Sequence, residues 1–285
     1  MIDLHIHTIH SDGAFTPCEV VRYANEKRLT AIAITDHDCV SGVKEAQEIG
    51  DRLGIEVLSG IEFSTSYETH NINIMRGIHI IGLMIDIENA ILCNRIEMHN
   101  TVTEKSIKRL FECLINNGFK QISYEDFRTQ GNTSSKNHLK QYMASVQMPD
   151  INELMKCIAN EGIAHVLDPL RKERLTVEGA IDTIHKSGGI AIWAHPLIYK
   201  LNSIEFEQTI KTFKTMGLDG VEAYCRGSTQ DDFRYIVDLA DKNQLLISGG
   251  SDFHGYIHQS DLGVSLLSKE RIPYSILRSL KAFYK

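Results

Sequence analysis

Short apolar segments that end in histidine, aspartate or glutamate recur along this chain and constrain its fold more than any other feature. The first covers residues 2–7 and carries His5 and His7, whose side chains share one face if the segment is extended. Five further residues follow later apolar segments or close them, namely His37, Glu62, His195, Asp252 and His254. His79 lies within another such run. Burying so many polar groups without a metal or mutual hydrogen bonds costs several kcal/mol, so the set predicts a metal site.

The spacing of these segments predicts an α/β fold. Most strand candidates are separated by segments with the 3.6-residue period of amphipathic helices, which is typical of a parallel, barrel-like sheet. Residues 64–76 lack that period and indicate a hairpin between the third and fourth strands, so we expect a distorted barrel. The seven strand candidates lie at about 2–7, 31–35, 55–62, 78–85, 189–195, 219–224 and 245–250.

Capping residues predict where several helices begin and end. Thr16, Pro17 and Glu19 have the pattern of a capping box with proline in the first helical position. Thr176, Ser203 and Ser228 predict later helix starts, and Gly188 and Gly217 predict helix ends.

Between about residues 90 and 175 the pattern changes to helices without strands. Leu110, Phe111 and Leu114 trace the face of one such helix. We therefore expect a barrel formed by residues 1–90 and 176–285, interrupted by a helical insertion at residues 91–175.

The motifs that carry these polar residues resemble, in order, those of the PHP (polymerase and histidinol phosphatase) family. They are Asp3-Leu-His5-x-His7 with Ser11-Asp12-Gly13, Thr35-Asp36-His37-Asp38, Gly60-Ile-Glu62, His79-Ile-Ile-Gly82, Ala194-His195-Pro196 and Ser251-Asp252-x-His254. The resemblance spans residue 2 to about residue 260 and is greatest to the stand-alone bacterial phosphoesterases. It implies a distorted seven-stranded (β/α)7 barrel with a trinuclear metal site, over which the helical insertion acts as a lid.

The resemblance also implies how the ligands are shared among three divalent ions. One ion would be held by His5, His7, Glu62 and Asp252, a second by Glu62, His79 and His195, and a third by Asp12, His37 and His254. Glu62, Asp12 and His195 are expected to be catalytic, with a hydroxide bridging the two ions that share Glu62. All these ligands are nitrogen or oxygen donors, which suits manganese, iron or zinc without choosing among them.

Overall charge and the expected metal centre favour a small anionic substrate. The net charge of −7 disfavours binding of long nucleic acid, which needs a basic surface. Three divalent ions would nevertheless make the pocket positive and attract a phosphate ester or a short nucleic-acid end. Apolar segments are too short to span a membrane, and a metal motif that begins at residue 3 leaves no room for a signal peptide, so we expect a cytoplasmic protein.

Four residues are candidate substrate contacts, namely Lys136, His138, Arg171 and Arg226. Arginine binds phosphate in a bidentate fork, although solvation at the surface is the common fate of any single basic residue. In nucleotide-cleaving relatives the insertion carries Gly-Arg-Pro-His, where this chain has Ser135-Lys136-Asn137-His138. That departure leaves a shared substrate in doubt.

Three further acids, Asp3, Asp36 and Asp38, are candidates to orient the imidazoles of metal ligands. For Asp36 and Asp38 the alternative is that their carboxylates bind backbone amides in the loops.

The sequence as a whole favours a metal-dependent phosphoesterase that acts on a nucleotide, a nucleoside 3′,5′-bisphosphate or an oligonucleotide end. Two other enzymes stay open: a cyclic-phosphate phosphodiesterase, acting for example on phosphoribosyl cyclic phosphate, and a histidinol phosphatase, against which the helical insertion argues. A non-catalytic structural or regulatory metal-binding domain is disfavoured because no ligand position is missing.

Overall fold

Seven strands form one sheet in the order of the chain, from β1 to β7. The computed structural model describes residues 1–67, 77–116, 118–130, 136–147, 175–256, 261–264 and 270–284. Within these residues the strands are β1 (Ile2–Ile6), β2 (Ala31–Ile34), β3 (Glu56–Thr65), β4 (Ile78–Leu83), β5 (Ile190–Trp193), β6 (Gly220–Tyr224) and β7 (Leu246–Gly249). The predicted seven-stranded α/β barrel fold is confirmed.

The direction of β4 explains the distortion of the barrel. β1, β2 and β3 pair in parallel, as do β5, β6 and β7. β4 pairs antiparallel with both β3 and β5, so it runs against the other strands of the sheet. β3 and β4 are consecutive, antiparallel neighbours, as the expected hairpin between the third and fourth strands requires, and residues 68–76 between them lie outside the described residues.

The two ends of the sheet approach each other next to the polar motifs. Ile6 forms an isolated parallel bridge with Phe253, just beyond β7. The backbone N–H of His7 donates to the carbonyl of Phe253 over 2.9 Å. These bonds tie the segment after β7 to β1 and bring the first and last motifs of the chain together.

Helices cover the strands of the barrel and form the insertion. In chain order the described helices are α1 (Pro17–Glu26), α2 (Val43–Leu53), α3 (Ala90–Asn116), α4 (Tyr124–Gln130), α5 (Lys136–Ser145), α6 (Val177–Lys186), α7 (Ser203–Thr215), α8 (Gln230–Lys242) and α9 (Tyr274–Tyr284). Among them, no helix is long and apolar enough to cross a membrane.

Local capping chemistry sets the helix starts. The capping box of Thr16 and Glu19 is present, and Thr176 accepts a hydrogen bond from the backbone of Gly179 as predicted. The predicted helix start at Ser203 is confirmed, whereas the helix predicted to start at Ser228 begins at Gln230. Asn202 and Thr229 are the caps of these two helices, because each pairs with an acid three residues later and so forms a reciprocal box.

The barrel unit has its apolar core on both faces of the sheet. Leu4, Ala33 and Ile192 belong to one buried cluster that also includes residues of α9. Ile32 and Ile34 belong to a second cluster, which buries the predicted stripe of α1. Packing on both faces leaves the strand ends as the place where polar side chains gather.

The chain divides into two compact units. One comprises Met1–Arg95 with Leu175–Lys285, and the other comprises Ile96–Arg174. The second unit has an apolar cluster of its own, which includes Phe111, Phe127 and Tyr142. The role of the insertion as a lid stays a prediction.

Candidate metal centre

Strand ends place the nine predicted ligands at one edge of the barrel. His5 lies in β1, and His7 and His37 lie just beyond β1 and β2. His79 is the second residue of β4, and because β4 is antiparallel its amino end lies beside the carboxyl ends of the other strands. This reversal explains how a histidine at the start of a strand joins ligands that follow strands.

Glu62 is the centre of this arrangement. Its carboxylate is fully buried, and its backbone pairs with the segment after β2 through hydrogen bonds with Asp36 and Asp38. Five histidine nitrogens lie around it: Oε1 is 3.0 Å from His79 Nδ1 and 2.9 Å from His195 Nε2, and Oε2 is 3.3 Å from His5 Nε2, 3.2 Å from His7 Nε2 and 3.0 Å from His37 Nδ1.

Asp12 and Asp252 complete the cluster on either side of His7. The Oδ1 atom of Asp252 lies 3.3 Å from His7 Nε2 and 3.5 Å from His5 Nε2. The Oδ1 atom of Asp12 lies 3.2 Å from His254 Nε2 and 3.6 Å from His7 Nδ1. The structure thus brings together all nine residues that the sequence predicted as metal ligands.

The donor atoms fall into overlapping groups that only partly follow the predicted division. The group His7, Asp12, His37 and His254 contains the predicted third set, with His7 added. The other groups are His5 with Glu62 and His195, His5 with His7 and Asp252, and His37 with Glu62 and His79. Within each group the donor atoms lie within 4.8 Å of one another. The assignment of residues to individual ions stays a prediction.

Unsatisfied polar atoms show that the residues fit metal ions. Glu62 Oε2 and His195 Nδ1 are buried without a hydrogen-bond partner. His5 Nδ1 lies 3.1 Å from a carboxylate oxygen of Glu222 and donates to it, so Nε2 is the ring nitrogen of His5 that faces the cluster, 3.1 Å from His7 Nε2. Converging lone pairs and carboxylate oxygens in a buried site are the environment that divalent cations stabilise.

In the protein without ions, histidines and carboxylates shift one another's protonation. Burial lowers the pKa of His7, but the carboxylates of Asp252, Glu62 and Asp12 outweigh it and raise that pKa to about 10. Burial raises the pKa of Glu62, yet His37, His5 and His79 hold it well below its usual range. Burial dominates at His37 and lowers its pKa to about 4. Protons therefore compete with metal ions for the same donor atoms.

Two of the acids that were candidates to orient imidazoles, Asp36 and Asp38, bind the loops around the cluster. Asp36 accepts hydrogen bonds from the backbone and hydroxyl of Thr8, both over 2.7 Å, and from Ser11 Oγ over 2.6 Å. Asp38 accepts from the backbone of Ser64 over 2.9 Å, so the backbone-amide alternative is observed for both acids.

The prediction that the third acid, Asp3, orients an imidazole was wrong. Asp3 accepts from the backbone and hydroxyl of Ser251, over 2.9 and 2.5 Å, and from the backbone of Gly263 over 2.7 Å. It thereby anchors the segment that carries Asp252 rather than an imidazole. An acid outside the nine predicted ligands that does contact an imidazole of the cluster is Glu222, which was not predicted from the sequence. An acid in the middle of the otherwise apolar β6 was the available signal.

The four candidate substrate contacts are divided between the two units of the chain, whereas the nine predicted metal ligands all belong to one. Arg226 follows β6, is about one third exposed, and places Nη1 3.8 Å from Asp252 Oδ2. His138 donates from Nε2 to the carbonyl of Phe127 over 3.0 Å and stacks on its ring, which gives it a packing role within the insertion. Lys136 is the first residue of α5, and Arg171 lies outside the described residues. Their contacts with substrate stay predictions.

Comparison with known proteins agrees with the motifs. A 5′-3′ exoribonuclease of Haemophilus influenzae is 30% identical over 93% of this chain and 93% of its own length. A 3′,5′-nucleoside bisphosphate phosphatase of Chromobacterium violaceum is 29% identical over 89% of this chain and 87% of its own. A solved amidohydrolase from Chromobacterium violaceum with bound sulfate and no metal covers 99% of this chain and 96% of its own, at 26% identity and a TM-score of 0.72. Residues 3–246 match the PHP domain, and the chain belongs to that family.

Proposed function

We propose that this metal-dependent phosphoesterase holds three divalent ions and hydrolyses a nucleotide phosphate ester, either a nucleoside 3′,5′-bisphosphate or the end of a short RNA. The observation that carries the proposal is Glu62, a fully buried carboxylate among five histidines with one oxygen that makes no hydrogen bond. The bisphosphate phosphatase and the exoribonuclease among its relatives support a nucleotide substrate.

The nine clustered residues would hold the ions, with Glu62 shared between two of them. Bound divalent ions would lower the pKa of water, so that hydroxide is available near neutral pH, and would neutralise charge on the phosphoryl oxygens. The chain itself supplies rigid positions for these donors, because Asp36, Asp3 and the backbone of Glu62 fix the surrounding loops.

The substrate would enter on the side of Asp12 and Arg226, which are more exposed than Glu62. The side chain of Asp12 is 22% exposed and that of Arg226 is 36% exposed, whereas Glu62 is inaccessible. Within the described residues, Arg226 is the arginine that lies within 4 Å of a proposed ligand. A guanidinium there would bind a second phosphate of the substrate and orient it.

The insertion is proposed to select the substrate. Lys136, His138 and Arg171 belong to this part of the chain, and long segments inserted into a barrel commonly carry specificity. Partners of the enzyme would thus be small anionic phosphates and short nucleic-acid ends, rather than long nucleic acid.

Initial rates on a panel of phosphate esters test the proposal. Purified protein loaded with Mn²⁺ would be compared with the variants Asp12→Ala and His195→Ala, and with Glu56→Gln as a control far from the cluster. The panel contains nucleoside monophosphates, 3′,5′-bisphosphates, a cyclic sugar phosphate, histidinol phosphate and a short 5′-phosphorylated RNA.

We expect metal-dependent turnover of the bisphosphate or the RNA. The rate of this turnover should fall at least about 100-fold in Asp12→Ala and in His195→Ala. Metal ions supply several kcal/mol of transition-state stabilisation, and each 1.4 kcal/mol changes the rate by about a factor of ten. If the cyclic sugar phosphate or histidinol phosphate were turned over faster than the nucleotides, the enzyme would be a cyclic-phosphate phosphodiesterase or a histidinol phosphatase instead. Absence of turnover at full metal loading would overturn the proposed function.

A further inference from the structure

Glu222 is a buried acid that the proposed chemistry does not yet use. It lies in the middle of β6, between Val221 and Ala223, and is 1% exposed. Within the described residues, no lysine or arginine forms an ion pair with it. A buried carboxylate without a permanent counter-charge is destabilising unless its hydrogen bonds are satisfied, so its contacts indicate what it does.

Both oxygens of Glu222 contact histidines of the metal cluster. Oε1 accepts from His5 Nδ1 over 3.1 Å, and Oε2 accepts from the backbone N–H of His195 over 2.7 Å. β6 pairs with β5 and β7, so this one carboxylate reaches both β1 and the turn that follows β5. It thereby joins two histidines that are 190 residues apart in the sequence.

The bond to His5 selects one form of the imidazole ring. A carboxylate can only accept, so His5 Nδ1 carries a proton, and the neutral ring, which is the form that binds a cation, then has its lone pair on Nε2. That lone pair faces Glu62 Oε2 at 3.3 Å and Asp252 Oδ1 at 3.5 Å. Glu222 thus leaves His5 able to bind a cation only through Nε2, the atom that faces the cluster.

The bond to His195 holds a strained backbone. His195 has φ 29° and ψ 57°, in the left-handed region that residues with a side chain seldom adopt. Its ring reaches Glu62 Oε1, 2.9 Å from Nε2. Without an acceptor for the backbone N–H, this turn would be free to relax and carry the ring away from Glu62.

We propose that Glu222 is a positioning residue that couples two of the proposed metal ligands, setting the tautomer of His5 and the backbone of His195 together. This inference rests on the proposed metal-dependent function. It predicts that one substitution at Glu222 weakens metal binding by both histidines, although Glu222 itself touches neither metal nor substrate.

Glu222→Gln is the decisive variant because it keeps the size and shape of the side chain. Its amide has one oxygen, so it accepts from only one of the two N–H groups. If the oxygen stays with the backbone of His195, the amide NH₂ faces His5 Nδ1 and favours the ring that is protonated on Nε2. Glu56→Gln is the matched control, since it makes the same change on β3 at an ion pair with Lys281, away from the cluster.

The readouts are metal content after dialysis, Mn²⁺ affinity by competition with a chelator, and separate kcat and KM values. We expect Glu222→Gln to bind Mn²⁺ about 10- to 100-fold more weakly, which is the usual effect of losing an outer partner of a ligand. Saturating Mn²⁺ should restore part of kcat, and Glu56→Gln should match the wild type. Unchanged Mn²⁺ affinity in a folded Glu222→Gln protein would overturn the inference.

Nitrogen-15 NMR of the histidine rings in zinc-loaded wild-type protein tests the same point without any variant. A proton on His5 Nδ1 is expected, and a proton on Nε2 would refute the proposal even if Glu222→Gln failed to fold. Wild-type protein that binds no metal and turns over no ester would instead refute the proposed function itself. The two failures are therefore distinguishable.

Discussion

At the scale of single residues, a substitution at Arg226 would distinguish substrate binding from metal binding. Arg226 lies 3.8 Å from Asp252, but a guanidinium does not ligate a cation, so its removal should leave the ions in place. We expect Arg226→Ala to raise KM for a nucleoside 3′,5′-bisphosphate about tenfold or more, because a charge-assisted hydrogen bond contributes about 1.5–3 kcal/mol. Steady-state kinetics on the bisphosphate and on the matching monophosphate would measure this.

Arg234→Ala is the control for that prediction. Arg234 lies on α8 with its side chain 70% exposed, 3.4 Å from Asp231, and outside the metal cluster. Its removal should change neither kinetic constant. An equal rise of KM for monophosphate and bisphosphate in Arg226→Ala would argue against a second-phosphate contact, and a fall in metal content would argue that Arg226 supports Asp252 instead.

At the scale of elements, a close approach of two strands limits what can follow β7. A Cβ atom at Gly250 would lie 2.1 Å from His5 Cβ and 2.6 Å from the backbone nitrogen of His5. Gly250→Ala must therefore displace β1 and His5, the proposed ligand that β1 carries. We expect a loss of about 1–3 kcal/mol in the free energy of unfolding, the usual range for overpacking, measured by urea denaturation.

Gly179→Ala provides the comparison, because the new Cβ would meet only the flexible end of Leu175 and the Thr176 hydroxyl, at 3.1 and 3.2 Å. Gly179 lies in α6, where alanine is favoured over glycine by about 0.5–1 kcal/mol. We expect the free energy of unfolding of the Gly179→Ala protein to stay within about 1 kcal/mol of the wild-type value. A Gly250→Ala protein as stable as Gly179→Ala would show that β1 shifts without cost.

The carboxyl end of α6 carries a pH-dependent contact. His185 Nε2 lies 2.7 Å from Asp219 Oδ2, and this carboxylate raises the pKa of His185 above 6.5, although partial burial opposes the shift. A raised histidine pKa stabilises the fold fully below pH 6.5, and the effect disappears as pH rises through the raised value. His185→Gln should therefore cost about 0.5 kcal/mol at pH 6 and less at pH 9, small because the ring is 39% exposed.

Urea denaturation of both proteins at the two pH values would measure that difference. Lys186→Gln is the neighbouring control, because Lys186 pairs with Asp182 on the same helix and a lysine keeps its charge across this range. A His185→Gln effect that grows towards pH 9 would contradict the assigned direction.

The polar segments also show which features of the fold and site can be predicted from neighbouring residues in the sequence and which cannot. Each motif with a proposed ligand stands beside an apolar strand, so the strand ends, and the gathering of these residues there, were predictable from residues close in sequence. Glu222 was not, because its partner His5 is 217 residues away and the alternation in β6 is equally typical of a half-exposed strand. The start of α8 was misplaced because Ser228 and Thr229 are both good capping residues, although the same choice between Asn202 and Ser203 did not shift the predicted start of α7.

At the scale of the whole molecule, the proposed ligands come from distant parts of one unit. They run from His5 to His254, and all belong to the unit formed by Met1–Arg95 and Leu175–Lys285. Ions bound there would join segments that the unfolded chain separates. Ligands that bind only the folded state stabilise it by an amount set by their concentration relative to Kd, about 2.7 kcal/mol at 100 times Kd.

Removal of metal should therefore lower the melting temperature. For an ion at 100 times Kd we expect a fall of about 5–10 °C on treatment with EDTA, since 1 kcal/mol corresponds to about 2–4 °C in a chain of this size. Scanning calorimetry with and without Mn²⁺ would measure it. The fall should nearly vanish in Glu62→Gln, which lacks the charge shared by two of the proposed ions.

Hydrogen exchange would then locate the effect within the molecule. Amides around His5, Glu62 and Asp252 lie in strands and loops that the ions would join, so their protection should fall most when metal is removed. Amides of α4 and α5 belong to the other unit and contribute no proposed ligand, so their protection should change least. An equal loss of protection in both units would mean that metal stabilises the chain as one cooperative body. No change in either unit would mean that the buried acids and histidines are held by one another alone, and the metal centre itself would have to be abandoned.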